Sequence, residues 1–211
     1  MNTGKAVVEL ALRHLGEDYV LGALAPKDDP SWDGPWDCAE FVSWCVYQTS
    51  HILYGCSNTT NPATADAWTG FWARDAEARG KKISVAEAAR IPGAAVLRVG
   101  VGTKVGHIVI SDGKGGTVEA HSRNTGVIRS TLRDRRWDLG ILVPGITYEA
   151  GPETIAVAQP PLVYRLTHPY MRGEKIKEIQ QALMDQGFNP RGLDGVFGPK
   201  TFAAVLAFQQ A

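Results

Sequence analysis

The chain has 211 residues, 44% of them hydrophobic and 21% charged, which is a globular composition and excludes a disordered chain or a coiled coil. Lys+Arg and Asp+Glu both number 22, so the formal charge is zero and the electrostatic case for a nucleic-acid or anionic-membrane partner is missing. The apolar stretches Ala6–Leu12 and Ile91–Leu97 fall far short of the roughly 20 residues that span a bilayer, so no membrane span is expected.

At the N-terminus, Thr3 is placed to cap a helix from about Gly4 to Leu15, with Gly16 as its stop. Glu9 and Arg13 interrupt its apolar residues at helical spacing, a pattern of an amphipathic helix and not of a secretory signal. The expectation is a chain without a signal peptide, made in the cytoplasm. Gly22–Trp36 is rich in Pro, Gly and Asp and reads as loop. Asp37 then caps a second helix whose stripe is Phe41, Val42, Cys45 and Val46. A third helix is expected over Thr64–Arg79, with Ala67, Trp68, Phe71 and Trp72 on one side. After Pro92-Gly93 the period changes to that of strands: Ala94–Val99, Gly106–Ser111, Thr117–Ser122, Val127–Ser130 and Leu139–Val143, with a hairpin turn at Asp112–Gly116. Helices first and antiparallel strands afterwards describe an α+β domain. Tyr148–Pro161 lacks periodicity and ends in a proline pair, which suggests a linker. The expected division is a domain over residues 1–147, a linker over 148–165 and a small helical module over 166–211.

The three cysteines, Cys38, Cys45 and Cys56, are an odd count that argues against a disulfide framework while leaving a Cys45–Cys56 pair open. Cys38 falls on the first turn of the helix capped by Asp37, where unpaired N–H groups and the positive end of the dipole favour a thiolate. Cys45 lies on the apolar stripe and reads as core. A nucleophilic thiol needs a base, and a base needs an acceptor that orients it. Of the five histidines, His107 and His121 lie on expected sheet. Glu119 and His121 project from one face of one strand, and the hairpin sets both beside His107.

The first region resembles the NlpC-type papain-like cysteine peptidases, which are bacterial cell-wall hydrolases. The resemblance is carried by His14-Leu15-Gly16 with Tyr19-Val20-Leu21-Gly22, by Asp37-Cys38-Ala39-Glu40-Phe41-Val42, by Ile91-Pro92-Gly93-Ala94, by Gly106-His107-Ile108-Val109-Ile110 and by Val118-Glu119-Ala120. It implies a papain-like domain of helices packed on an antiparallel sheet, with Cys38 as nucleophile and His107 as general base. Glu119 takes the third position, with His121 as the competing candidate, and Tyr19 supports the oxyanion. Ala39 and Glu40 stand where the family's Asp-Cys-Ser-Gly has Ser and Gly, and Ala94 where it has Asp. Asp37 and Trp36, beside the nucleophile, are candidate substrate contacts.

Residues 166–211 resemble the three-helix peptidoglycan-binding module of many wall hydrolases. The match rests on Ile179-Gln180-Gln181-Ala182-Leu183, Gly187-Phe188, Asp194-Gly195-Val196-Phe197-Gly198-Pro199-Lys200-Thr201 and Ala207-Phe208-Gln209. Its expected helical stripes are Ile176, Ile179, Leu183 and Met184 in the first, and Phe202, Val205, Leu206 and Phe208 in the second. The resemblance implies contact with peptidoglycan near the Asp194–Thr201 turn.

Together these readings describe a peptidoglycan hydrolase that cuts a stem-peptide amide, at or near the bond between D-glutamate and the diamino acid, and needs no cofactor. Three alternatives stand beside it. A zinc site of Cys38, His107, Glu119 and His121 lacks any short-spaced ligand pair. A CHAP-like N-acetylmuramoyl-L-alanine amidase has the same Cys-His-Glu order, and a catalytically inactive wall-binding protein would be built on a dead hydrolase fold, against which the presence of both Cys38 and His107 counts. The setting implied is a phage endolysin or a secreted effector delivered without a signal, and an immunity protein is a partner only in the second case.

Overall fold

The computed structural model describes residues 2–102, 105–150, 153–156 and 163–210. The chain divides into two compact units, residues 1–160 and 161–211.

In the first unit α1 runs over Gly4–Ala11, and the Thr3 hydroxyl accepts the Ala6 N–H as its cap. A single 3-10 turn, Leu12–His14, then replaces the expected continuation of the helix to Leu15. Helix α2 is Cys38–Ser50 and α3 is Thr69–Ala78. The third helix starts later than its periodicity suggests because Cys56 and Ala67 pair as an isolated bridge and the Glu40 carboxylate accepts the Ala67 N–H at 2.5 Å. Both interactions hold residues 65–67 extended. Trp72 is buried from α3, but Trp68, its N-cap, is 59% exposed.

There follow β1 (Lys81–Ile83), the one-turn helix α4 (Val85–Ala88) with a Ser84/Glu87 capping box, β2 (Ala95–Arg98), β3 (His107–Ser111), β4 (Gly116–Ser122), β5 (Gly126–Thr131) and β6 (Leu139–Leu142). These strands make one antiparallel sheet in the order β1-β6-β2-β3-β4-β5. β1 and α4 have no counterpart in the sequence reading, because Lys81-Lys82-Ile83 is too short and polar to announce a strand. The α+β expectation is met. Central β3 is buried along its whole length, and α1 and α2 pack on this sheet. Gly106, at the mouth of β3, must be glycine: a Cβ there would lie 2.5 Å from the Thr69 hydroxyl and 2.8 Å from the Arg98 carbonyl.

The expected linker is redrawn at its start. Thr147–Ala150 forms β7, which pairs with β8 (Glu153–Ala156). Tyr148 is fully buried, and its hydroxyl accepts the Val143 N–H at 2.9 Å, so it belongs to the core of the first unit. Residues 151–152 and 157–162 of that segment lie outside the described residues.

The second unit holds α5 (Glu174–Asp185) and α6 (Pro199–Gln209), two helices among its described residues where three were expected. The first stripe is confirmed at Ile176 and Leu183, while Met184 is exposed. The second is out of phase: Thr201 and Ala204 are the buried positions, and Phe202, Leu206 and Phe208 are exposed. The turn before α6 sets that phase. Gln180, buried on α5, donates to Asp194 Oδ1 at 2.8 Å, Thr201 Oγ1 at 2.9 Å and the Val196 carbonyl at 3.2 Å, and accepts the Gly195 N–H at 3.0 Å. A polar anchor, not an apolar seam, decides which side of α6 faces inward.

Candidate active site

Asp37 has an extended backbone and caps α2, its Oδ1 accepting the Ala39 and Glu40 N–H groups at 2.9 and 2.8 Å. Its Oδ2 accepts the Gly22 N–H at 3.3 Å. Three main-chain N–H groups thus hold the carboxylate that was expected as a substrate contact. Burial raises the Asp37 carboxyl above its ordinary range, against the three N–H groups that favour its charge.

Cys38 is the first residue of α2, buried, with the main-chain amide of Ile108 against its sulfur. Ile108 follows His107 on β3, the strand against which α2 packs. The thiol, however, is not poised as a free thiolate. Burial and the neighbouring Asp37 charge push its pKa up to about 12, with the Ile108 and Ala39 amides opposing. The helix-terminus expectation fails here because burial, with the Asp37 charge beside it, outweighs the N–H groups that favour a thiolate.

His107 is buried at the start of β3, and its Nε2 lies 2.6 Å from Glu119 Oε2. With Nε2 so engaged, Nδ1 has no hydrogen-bond partner among the described residues. Burial holds the imidazole pKa below its ordinary value; Glu119 raises it and Arg135 and Arg98 lower it further. The ring is therefore neutral at neutral pH and able to take a proton. Glu119, completely buried on β4, is held by four donors: His107 and Arg135 Nη2 at 2.6 and 2.8 Å on Oε2, Thr117 Oγ1 and Arg135 Nη1 at 2.7 and 2.6 Å on Oε1. Burial alone would raise its pKa, but these bonds outweigh that and bring the carboxyl down to about 2. His121, the competing third residue, is exposed, bonds Thr125 through Nδ1 at 3.0 Å, and stands edge-on to His107 with ring centroids 6.1 Å apart.

Tyr19 reaches the same place by a parallel bridge to Trp36, flanked by Trp36 N–H to Asp18 O at 2.9 Å and Val20 N–H to Trp36 O at 2.8 Å. Burial, then the charges of Cys38 and Asp37, push the phenol up to about 12, so it stays a hydrogen-bond donor. Trp36, expected as a substrate contact, is packed inside the first unit. It is fully buried, donates to Glu17 Oε2 at 2.6 Å, and packs edge-on against His14, Phe41 and Trp44.

Several residues went unnoticed in the sequence. Arg135 and Thr117 on Glu119 are two. Another is the Lys27–Glu40 pair, wholly buried, in which Lys27 Nζ also donates to the Ala65 carbonyl at 2.7 Å and Glu40 accepts the Ala25 N–H at 2.9 Å. That pair ties the 22–36 loop to α2 and explains the Glu after Cys38-Ala39: its carboxylate is the loop's anchor. The signal available was a lone Lys inside a Pro- and Asp-rich loop. All three cysteines are free, so Cys45 and Cys56 are unpaired. Among the described residues no three His, Cys, Asp or Glu side chains gather to hold a metal ion, and no helix is long and apolar enough to cross a membrane.

In the second unit, Asp194 accepts from Gln180 and from the Val196 N–H at 2.9 Å, which lowers its carboxyl below the usual range. It lines a cleft of about 300 Å³ with Tyr170, Arg191, Lys200 and Thr201.

Residues 172–211 match the family model described as "Putative peptidoglycan binding domain". The chain is 38% identical over 69 residues to N-acetylmuramoyl-L-alanine amidase CwlA of Bacillus subtilis (strain 168), covering 30% of this chain and 25% of that one. It is 45% identical over 53 residues to amidase CwlH of the same organism, covering 22% and 21%. The chain thus spans about a quarter or less of the length of these curated relatives. Among solved structures it is similar to the NlpC/p60 domain of peptidoglycan hydrolase SagA, with 23% identity, a TM-score of 0.48, and coverage of 67% of this chain and 99% of that one. It is also similar to peptidoglycan hydrolase RipB of Mycobacterium tuberculosis, with 19% identity, a TM-score of 0.44, and coverage of 65% and 62%. The family match falls on the residues read as a peptidoglycan-binding module.

Proposed function

We propose that the chain is a peptidoglycan hydrolase: the first unit cuts a stem-peptide amide with a cysteine nucleophile, and the second holds the wall. The observation that carries this reading is the His107–Glu119 pair, buried at 2.6 Å, on the strand whose next amide lies against the Cys38 sulfur. A buried imidazole with one nitrogen fixed and the other bare is suited to serve a thiol as general base in nucleophilic catalysis.

In this mechanism the thiol stays protonated until substrate binds, because its pKa is high. His107 Nδ1 takes the Sγ proton as sulfur attacks the amide carbon. The tetrahedral oxyanion accepts a hydrogen bond from the Tyr19 hydroxyl. His107 then returns the proton to the leaving nitrogen as the C–N bond breaks, leaving a thioester on Cys38. Water, deprotonated by His107, attacks the thioester; the acid departs and the thiol regains its proton. Glu119 stays ionised throughout, accepts from Nε2 and stabilises the imidazolium. The bond proposed is that between D-glutamate and the diamino acid. A second reading, an N-acetylmuramoyl-L-alanine amidase, is favoured by the names of the sequence relatives, whose likeness extends over a quarter of their length or less.

The test is mass analysis of fragments released from purified peptidoglycan by the full chain and by Cys38→Ala. The reading expects release of peptides beginning at the diamino acid by the wild type, none by Cys38→Ala, and undiminished sedimentation of both with the wall. Whole stem peptides freed from muramic acid would establish the amidase instead. No release by the wild type would leave a wall-binding protein only.

A further inference from the structure

Glu119 is an unusual partner for a histidine because it is wholly buried and yet charged, and a buried carboxylate persists only where donors surround it. Neutral His107 and Thr117 offer one donor each. The remaining two are the paired N–H groups of Arg135, which grip both oxygens at 2.6 and 2.8 Å. This fork fixes the carboxylate in a plane as well as supplying a charge. The guanidinium is itself held. It lies 4.7 Å from the centroid of the Trp137 ring, its Nη1 is 3.4 Å from the Thr131 carbonyl, and Trp137 in turn donates to the Leu132 carbonyl at 3.2 Å. The face of Trp137 is tilted 31° against the His107 ring with centroids 6.0 Å apart. Arg135 and Trp137 thus bracket the imidazole, one through its acceptor and the other across its face.

We propose that Arg135 is a positioning residue: it holds Glu119 as an oriented acceptor for the His107 Nε2 proton, which leaves Nδ1 free to take a proton. The role rests on the hydrolase reading for its purpose, but the arrangement can be tested without turnover. The charged and titratable groups that face His107 are Glu119 and His121 on β4, Arg98 opposite it on β2 and Arg135 after β5. Of these, removal of Arg135 alone takes away a cation while exposing the anion that binds the imidazolium. The His107 pKa must therefore rise.

The experiment titrates the full chain, labelled with ¹⁵N at the histidine imidazoles, as wild type, Arg135→Met and Arg135→Lys, with His107→Gln to assign the signal. The wild type is expected to show a single tautomer, protonated at Nε2. In Arg135→Met the His107 pKa is expected to rise by about one pH unit, and the tautomer to become mixed. Arg135→Lys keeps the charge without the fork, so its pKa stays near that of the wild type while the tautomer loosens. It also serves if the Met variant fails to fold. Turnover on peptidoglycan is expected to fall about ten- to hundredfold in Arg135→Met, the scale for losing an outer-shell partner, with the acid limb of kcat/KM moved upward by the same pH increment. A His107 pKa and tautomer unchanged in both variants would overturn the role, even if turnover fell. A wild type that releases nothing from the wall would overturn the hydrolase reading, while the imidazole titration would still decide what Arg135 does to His107.

Discussion

Glu119 should make the first unit acid-sensitive in a way that one substitution removes. Its carboxyl titrates near 2 in the folded chain against an ordinary 4.5, and it is completely buried. At ~1.4 kcal/mol per pH unit this difference amounts to about 3 kcal/mol of stability. Because the folded pKa is the lower one, the contribution is fully present above pH 4.5 and is lost as the pH falls toward 2. By pH 2.5 about 1 kcal/mol remains. Glu119→Gln has no charge to lose and leaves Arg135 without its anion, so the variant should be less stable by about 3 kcal/mol at pH 7 and by about 1 kcal/mol at pH 2.5. The assay is urea unfolding followed by tryptophan fluorescence. All six tryptophans, from Trp32 to Trp137, lie in the first unit, so the signal reports that unit alone. A gap between the two proteins that is the same at pH 7 and pH 2.5 would refute the reasoning.

Lys27→Met strands the Glu40 carboxyl, which burial already raises to about 7 against the pull of Lys27 and the Ala67 and Ala25 amides. The folded pKa is the higher one, so protonation relieves the variant at low pH. Urea unfolding is expected to show a loss of about 3 kcal/mol at pH 8 and a smaller one at pH 6, and equal losses would count against the buried pair. Gly93→Ala places a Cβ 2.3 Å from the Gly4 carbonyl at a backbone φ of +80°, so thermal unfolding should show a destabilisation of about 2 kcal/mol or more. Tyr19→Phe should lower kcat about a hundredfold with KM little changed, the lower end of the cost of losing an oxyanion donor; an unchanged kcat would remove the hydroxyl from the mechanism. Gln180→Ala takes four hydrogen bonds from the turn before α6. Sedimentation with the wall should weaken at least tenfold while cleavage of a soluble stem peptide is unchanged, and parallel loss of both would argue against separate roles for the two units.

Local signals were legible where one residue type does one job. Asp37 and Thr3 announced their helices because each has a cap hydroxyl or carboxylate in the right place, and the strands from Ala95 to Leu142 showed because their faces alternate or are wholly apolar. His107 beside Glu119 was readable because a two-residue period and one hairpin bring them to the same face. What escaped depends on contacts distant in sequence. Arg135 sits in Arg133-Asp134-Arg135-Arg136, a run that reads as a solvated surface, and only the fold selects the one guanidinium that turns inward. Lys27 and Glu40 are likewise thirteen residues apart, and the local hint was no more than a lone Lys in a Pro- and Asp-rich loop. Trp36 misled in the opposite sense: an aromatic residue next to a nucleophile looks like a substrate wall, but here the ring fills the space between α2 and His14.

The raised thiol pKa narrows how such a site could work. A thiolate formed in advance needs cationic or N–H groups without other employment. At Cys38 the helix N–H groups are shared with Asp37, which adds its own negative charge, and the nearest imidazole is neutral at rest. In the proposed mechanism the sulfur therefore loses its proton during attack, to a base held ready for it. That requirement places the burden of catalysis on the direction in which His107 offers its free nitrogen, and hence on the acceptor that fixes the other one. An ionised Glu119, pinned by an arginine fork and a threonine hydroxyl, meets it in a way that exposed His121, turned toward Thr125, does not.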